Sequence, residues 1–166
     1  AGLQDVSSRV PPNVMWIETV AALGARGETL AWPEVYSGLA SGVVDAAEAP
    51  LSSLWGSKLY ESAKTVSMTN HFIAYSGPII NENVYQSLDP ELQQVLVTSA
   101  EDAGKYMAEL VTQSQATLRA DLEGAGVTFV DDVDMGAMRA ATEVVYTKFP
   151  DWTPGLHDTV RALLDN

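Results

Sequence analysis

Cysteine is absent from the 166 residues. That gap excludes disulfides, thiolate nucleophiles and Cys-ligated zinc or iron–sulfur centres, and it leaves the cellular compartment open. Basic side chains are scarce: nine Lys and Arg stand against 22 Asp and Glu, a formal net charge of −13. So acidic a chain is a poor partner for nucleic acid, whose affinity comes from cations neutralising phosphates, and for an anionic membrane surface. Long uncharged apolar runs are missing too, so direct membrane insertion is not expected. Absent as well are the phosphate loops G-x-x-x-x-G-K-[ST] and G-x-G-x-x-G and the nucleophile turn G-x-S-x-G. The opening residues, Ala1-Gly2-Leu3-Gln4-Asp5, carry neither the basic nor the apolar region of a signal peptide, and the chain does not start with Met. It reads as a processed or truncated piece.

Apolar residues make up 46% of the chain and charged residues 19%, which supplies a sizeable core and rules out disorder. The length fits one domain or slightly more. Val6 to Val10 reads as a strand closed by Pro11-Pro12, and Asn13 as the N-cap of a helix through Leu23 with Trp16, Ile17, Val20 and Leu23 on one apolar face, stopped by Gly24. Glu28 to Ala31 looks extended. Pro33 opens a helix that buries Val35, Tyr36 and Leu39 and ends at Gly42. Val43-Val44 begins a further strand stopped by Pro50, and Leu51 to about Ala63 reads as a helix. Thr65 to Ile80, including Ile73, is rich in β-branched and aromatic residues and predicts a long extended segment, bent near Gly77-Pro78.

The strongest local pattern follows. Asp89-Pro90-Glu91 supplies a cap, a first-turn Pro and an acid matched to the helix dipole. Behind it Leu92, Leu96, Ala100, Ala103, Met107, Leu110, Ser114, Leu118 and Leu122 recur at three- and four-residue steps. At about 1.5 Å per residue such a helix spans about 50 Å, so it crosses between two lobes or lies along an edge. Val127 to Val130 then reads as a strand, Asp134 caps a helix to Phe149, and Thr153-Pro154 opens a last helix. Alternating strands and helices predict an α/β layered fold whose sheet is largely parallel and flanked by helices.

Few residues suggest chemistry. His157, in the first turn of an amphipathic helix, reads as a surface residue, and His71 as a core or interlobe histidine. The acids Asp131, Asp132 and Asp134 lack the ligand and glycine spacing of a calcium loop and suit helix capping. Glu18 and Glu34 lie where helices accept acids. Glu48 follows a strand at its carboxyl end, where ligand crevices form in α/β sheets; a strand-end cap and a site role both remain open there. Arg9 ends the first strand, and its guanidinium could take a carboxylate through two parallel hydrogen bonds or pair with a local acid. Trp32, held extended before Pro33, could project into the same crevice or staple the following helix.

Several segments, read in order, resemble the solute-binding proteins of tripartite ATP-independent periplasmic (TRAP) transporters, the DctP type. They are Ser8-Arg9-Val10-Pro11, Leu30-Ala31-Trp32-Pro33-Glu34-Val35-Tyr36, Gly42-Val43-Val44-Asp45-Ala46-Ala47-Glu48-Ala49-Pro50-Leu51, Ser57-Lys58-Leu59-Tyr60-Glu61, Thr69-Asn70-His71 and Leu88-Asp89-Pro90-Glu91-Leu92-Gln93-Gln94. The resemblance implies a periplasmic-binding-protein-like clamp of two lobes that share a long helix and a long strand, with the earlier part of such a protein missing here. On it, residues 1–70 begin the second lobe, 71–126 hold the interlobe strand and long helix with part of the first lobe, and 127–166 close the lobes. It implies a periplasmic receptor that binds a small organic acid and delivers it to TRAP permease subunits, without catalysis, cofactor or metal. Arg9 falls on the family's carboxylate-binding Arg and Trp32 on its aromatic or apolar wall, with Glu48, Asn70 and His71 lining the same region. Ala49 stands where the family often has Asn, which removes one side-chain donor and points to a less polar or differently shaped acid. Two other readings compete: a hydrolase or isomerase using Glu48 and His71 as acid and base, and a pure interaction domain.

Overall fold

The computed structural model describes residues 3–72 and 75–164. Strand β1 (Ser7–Val10) is buried along its whole length. It lies between β2 (Arg26–Thr29) and β3 (Ala46–Ala47), parallel to both, in the order β2-β1-β3. Parallel neighbours require crossovers, and helices supply them. Helix α1 (Val14–Ala22) returns the chain from β1 to β2, capped by Asn13 Oδ1, which accepts from the Met15 N–H at 2.9 Å. A 3-10 turn (Trp32–Glu34) and α2 (Val35–Ser41) lead from β2 to β3, and Gly42 ends α2 with φ of 73°. A second, two-stranded sheet pairs β4 (Thr65–Ser67) with β5 (Thr128–Val130), again parallel. The class is α/β with parallel strands flanked by helices, as expected, although the described strands divide into two sheets.

The register of β3 is fixed by a side chain. Asp45 accepts from the Ser7 backbone N–H at 2.9 Å and from Ser7 Oγ at 2.8 Å, while its own N–H donates to the Ser7 carbonyl at 2.8 Å. The core beside this sheet joins Val35, Leu54, Leu59, Leu122 and Val127, so it draws on α2, on α3 (Leu51–Gly56) and on the end of α5 (Pro90–Gly124). At 35 residues α5 is about 52 Å long. Its C-terminal end is tied to β5 by Arg119, which forks onto Asp131 at 2.9 and 2.7 Å, reaches Glu123 at 3.1 Å and lies over the Phe129 ring at 4.4 Å. Helix α6 (Met135–Tyr146), capped by Asp134, meets α1 through the Lys148–Glu18 ion pair just beyond its end. Helix α7 (Leu156–Leu164) follows.

Several expectations change. The first crossover returns as Arg26–Thr29, earlier than the expected 28–31, and β3 forms at Ala46–Ala47, after Val43 and Val44. The helix expected over 51–63 stops at Gly56 and resumes only as a 3-10 turn (Leu59–Glu61), because Lys58 between them takes the left-handed conformation, φ 55°. The long strand expected over 65–80 shrinks to Thr65–Ser67, since β5 offers a partner of only three residues. Ile73, named in that segment, lies outside the described residues. Beyond it Tyr75 and Ile79 are almost fully exposed, and the short helix α4 (Glu82–Gln86) precedes α5. Tyr36, expected in the core, is exposed because its hydroxyl donates to Glu61 at 2.6 Å. The apolar stripe of α5 is exposed at Leu92, Leu96, Met107 and Leu110 and sealed only at Leu122.

Two stability effects follow. Leu122 is fully buried where α5 meets the core, so Leu122→Ala should cost about 2–5 kcal/mol in urea unfolding; a loss below about 1 kcal/mol would contradict this packing. The hydrogen bonds from Ser7 hold the Asp45 carboxyl below the usual carboxylate range. A folded-state value below the unfolded one stabilises the fold above about pH 4, and that contribution disappears as pH falls through the folded value. Urea midpoints should therefore drop on acidification from about pH 5 to about pH 3, less steeply in Asp45→Asn. Equal slopes for the two proteins would remove Asp45 from the acid response.

Candidate functional site

The carboxyl ends of β1, β2 and β3 meet on one side of the first sheet, and Arg9 stands there on the central strand, opposite Glu28 on one side and Ala47 on the other. Pro11-Pro12 ends the strand immediately beyond it. Arg9 is 5% exposed. Its Nε donates to the Leu30 carbonyl at 3.0 Å, which fixes the plane of the guanidinium, and Cζ lies 5.4 Å from the centroid of the Trp32 ring. Burial pushes the Arg9 pKa down from its usual value and the nearby Glu48 carboxylate opposes this; an arginine keeps its charge regardless.

Glu48 follows β3 and accepts from Trp16 Nε1 at 3.1 Å. Its other oxygen lies 3.9 Å from His71 Nε2. The Trp16 ring packs edge-on against Phe72, centroids 4.9 Å apart, and His71 Nδ1 is 2.6 Å from Thr69 Oγ1. Arg9, Trp32, Glu48 and His71 thus converge. Ala49, next to Glu48, is partly buried and packs against the core of Val35, Leu54 and Leu59. Asn70 is exposed and adopts a left-handed backbone, φ 43°.

Trp16 is the residue that sequence reasoning missed, having been read as part of an apolar helix face. One signal pointed to it: it occupies the first turn of the helix that follows β1, and first turns after parallel strands border the crevice. Elsewhere, Glu34 accepts from the Ala31 N–H at 2.9 Å as a capping residue. Asp131 is held below the usual carboxylate range by the Arg119 fork, and Asp134 caps α6, so the acidic run is structural. Among the described residues no group of His, Asp or Glu is placed to hold a metal ion. His157 is not the simple surface residue expected: its ring lies 4.0 Å from that of Tyr146 and its Nε2 is sealed.

An arginine carries five N–H donors, and only Nε is engaged by the described residues. A fixed guanidinium beside an indole face, its fork not taken up by the described residues, is suited to a carboxylate or phosphate. The Trp16–Glu48 bond is part of this frame, so Trp16→Phe should destabilise the fold by about 1 kcal/mol in urea titration. No measurable change would show that the bond contributes nothing.

The model of the family "Bacterial extracellular solute-binding protein, family 7" (DctP) matches residues 1–151. The chain is 33% identical over 141 residues to the 2,3-diketo-L-gulonate-binding periplasmic protein of Escherichia coli, covering 85% of this chain and 43% of that one. A TRAP periplasmic solute-binding protein of Actinobacillus succinogenes, solved with bound L-galactonate, superposes with a TM-score of 0.90 at 30% identity, over 98% of this chain and 54% of the other. A second, from Fusobacterium and solved with sn-glycerol 3-phosphate, gives 0.92 at 29% identity, over 98% and 53%. The chain spans about half the length of these relatives. With nine-tenths of its length inside the family model, it belongs to the bacterial extracellular solute-binding proteins of family 7, the DctP family.

Proposed function

We propose that this chain carries the anion-gripping wall of a periplasmic receptor, which binds a small organic acid and passes it to the membrane permease of a TRAP transporter. One observation carries the reading: Arg9 is fixed on the central strand by the Leu30 carbonyl and lies beside Trp32, and its terminal nitrogens make no hydrogen bond with the described residues. A clamp needs a fixed cation to neutralise the ligand, apolar walls to exclude water and a second wall that closes. The bound sugar acid and phosphoester of the two structural relatives support an anionic ligand. Glu48 and His71 belong to the same wall, where they hold the neighbourhood of Arg9 in place. We assign residues 1–70 to one lobe, 71–126 to the interlobe passage with part of the other lobe, and 127–166 to the closing segment. The uncovered apolar stripe of α5 supports that assignment, as a surface on which another lobe can seat.

The Glu48–His71 approach of 3.9 Å is also the geometry that an acid–base enzyme would need. Glu48 is engaged by Trp16 and His71 by Thr69, which favours a frame over a proton shuttle. Turnover of a bound acid, followed by NMR over hours, would favour the enzyme instead.

The experiment is calorimetry and thermal shift with a panel of organic acids, including L-galactonate and sn-glycerol 3-phosphate. A ligand at a hundredfold excess over Kd should add about 2.7 kcal/mol of stability. Arg9→Ala should weaken binding by about 3 kcal/mol or more, because a desolvated anion loses its partner, and Trp32→Ala by about 1–2 kcal/mol. The opposite order would mean that the ligand is not held by its anionic group.

A further inference from the structure

Strand β4 ends at Ser67, and the chain turns at once: the Met68 N–H donates to the Val130 carbonyl at 2.9 Å and the Thr69 N–H to the Ser67 carbonyl at 2.9 Å. Asn70 then takes φ of 43°, which sends His71 back toward Glu48. L-residues other than glycine seldom adopt this region; Asn tolerates it best, and β-branched residues hardly at all. The Asn70 side chain is exposed and makes no hydrogen bond with the described residues, so its backbone is what the structure uses. His71 has an acid on one side and a hydroxyl on the other. At 3.9 Å Glu48 lies beyond hydrogen-bond reach of Nε2, but its negative charge favours the tautomer in which that facing nitrogen carries the hydrogen. In the neutral ring Nδ1 is then an acceptor, and Thr69 Oγ1, 2.6 Å away, donates to it.

We propose that Thr69-Asn70-His71 is a positioning turn: the left-handed Asn70 backbone aims the His71 ring, and the Thr69 hydroxyl fixes its tautomer so that Nε2–H faces Glu48. Asn70 is a positioning residue on this account, not a ligand contact. The inference rests on the reading of Arg9 and Glu48 as one anion-binding wall, since that is what an aimed His71 would serve.

The test uses the whole ¹⁵N-labelled chain without ligand, at about pH 8 where an unperturbed imidazole is neutral. Long-range ¹H–¹⁵N spectra report which ring nitrogen of His71 is protonated. Wild type should show the Nε2–H tautomer in at least a fivefold excess, and Asn70→Gly should keep it, since glycine accepts the same backbone without the amide. Asn70→Val should lose the preference. Thr69→Val should lose it too, with Thr69→Ser restoring it, which decides the matter if Asn70→Val does not fold. Wild-type His71 protonated on Nδ1 would overturn the proposal, as would Asn70→Gly failing alongside Asn70→Val or Thr69→Val matching wild type. The spectra need no ligand, so a failure here leaves the binding assignment of Arg9 intact, and a failed ligand panel leaves this result standing.

Discussion

Holding one buried guanidinium still and charged, with part of its donor capacity unspent on the described residues, is the constraint around which the first sheet is arranged. A buried cation without hydrogen-bond partners is expensive, and one that is fully paired has no capacity left for a ligand. Arg9 lies between these limits. Its Nε is spent on the Leu30 carbonyl, its positive charge is offset by Glu48, and its face is covered by Trp32, while the terminal nitrogens make no hydrogen bond with the described residues. Placing the residue on the central strand of a three-stranded parallel sheet gives it walls from both neighbours.

The rest of the chain supplies rigidity to that arrangement. Asp45 clips β3 to β1 through Ser7, which sets where Glu48 emerges. Trp16 reaches across from α1 to hold the Glu48 carboxylate, and Lys148 pins α1 to the end of α6. Leu122 and Arg119 anchor the C-terminal turns of α5 to the core and to β5, so the long helix is fixed at one end and free along much of its length. The net charge of −13 makes a fixed local cation the more necessary, because the excess of acids repels an approaching anion on average.

Local signals in the sequence were reliable where the structure depends on local physics. Asp89-Pro90-Glu91 and the three- and four-residue apolar spacing placed α5 almost to the residue, and Asn13 and Asp134 cap the helices assigned to them. The segment from Thr65 to Ile80 failed for the opposite reason: β-branched composition says what a strand tolerates, but a strand also needs a neighbour, and β5 is three residues long. The break at Lys58 and the turn at Asn70 are left-handed positions occupied by residues that do not announce them as glycine would. In the site, Arg9 was legible from its place at a strand end in a chain poor in cations. The meeting of Trp32, Glu48 and His71 rested on family order, and Trp16 was hidden because an indole on an amphipathic helix looks like core.

The central claim is that the terminal nitrogens of Arg9 grip the anionic group of the ligand. The most direct measurement follows the Arg9 side-chain ¹⁵N–¹H resonances by NMR while L-galactonate is titrated into the labelled protein. The account predicts that the terminal Nη signals split and slow on binding, as a fork locked on a carboxylate must, while the Nε–H signal, already bound to the Leu30 carbonyl, shifts little. Saturable binding that leaves every Arg9 resonance unmoved would contradict it.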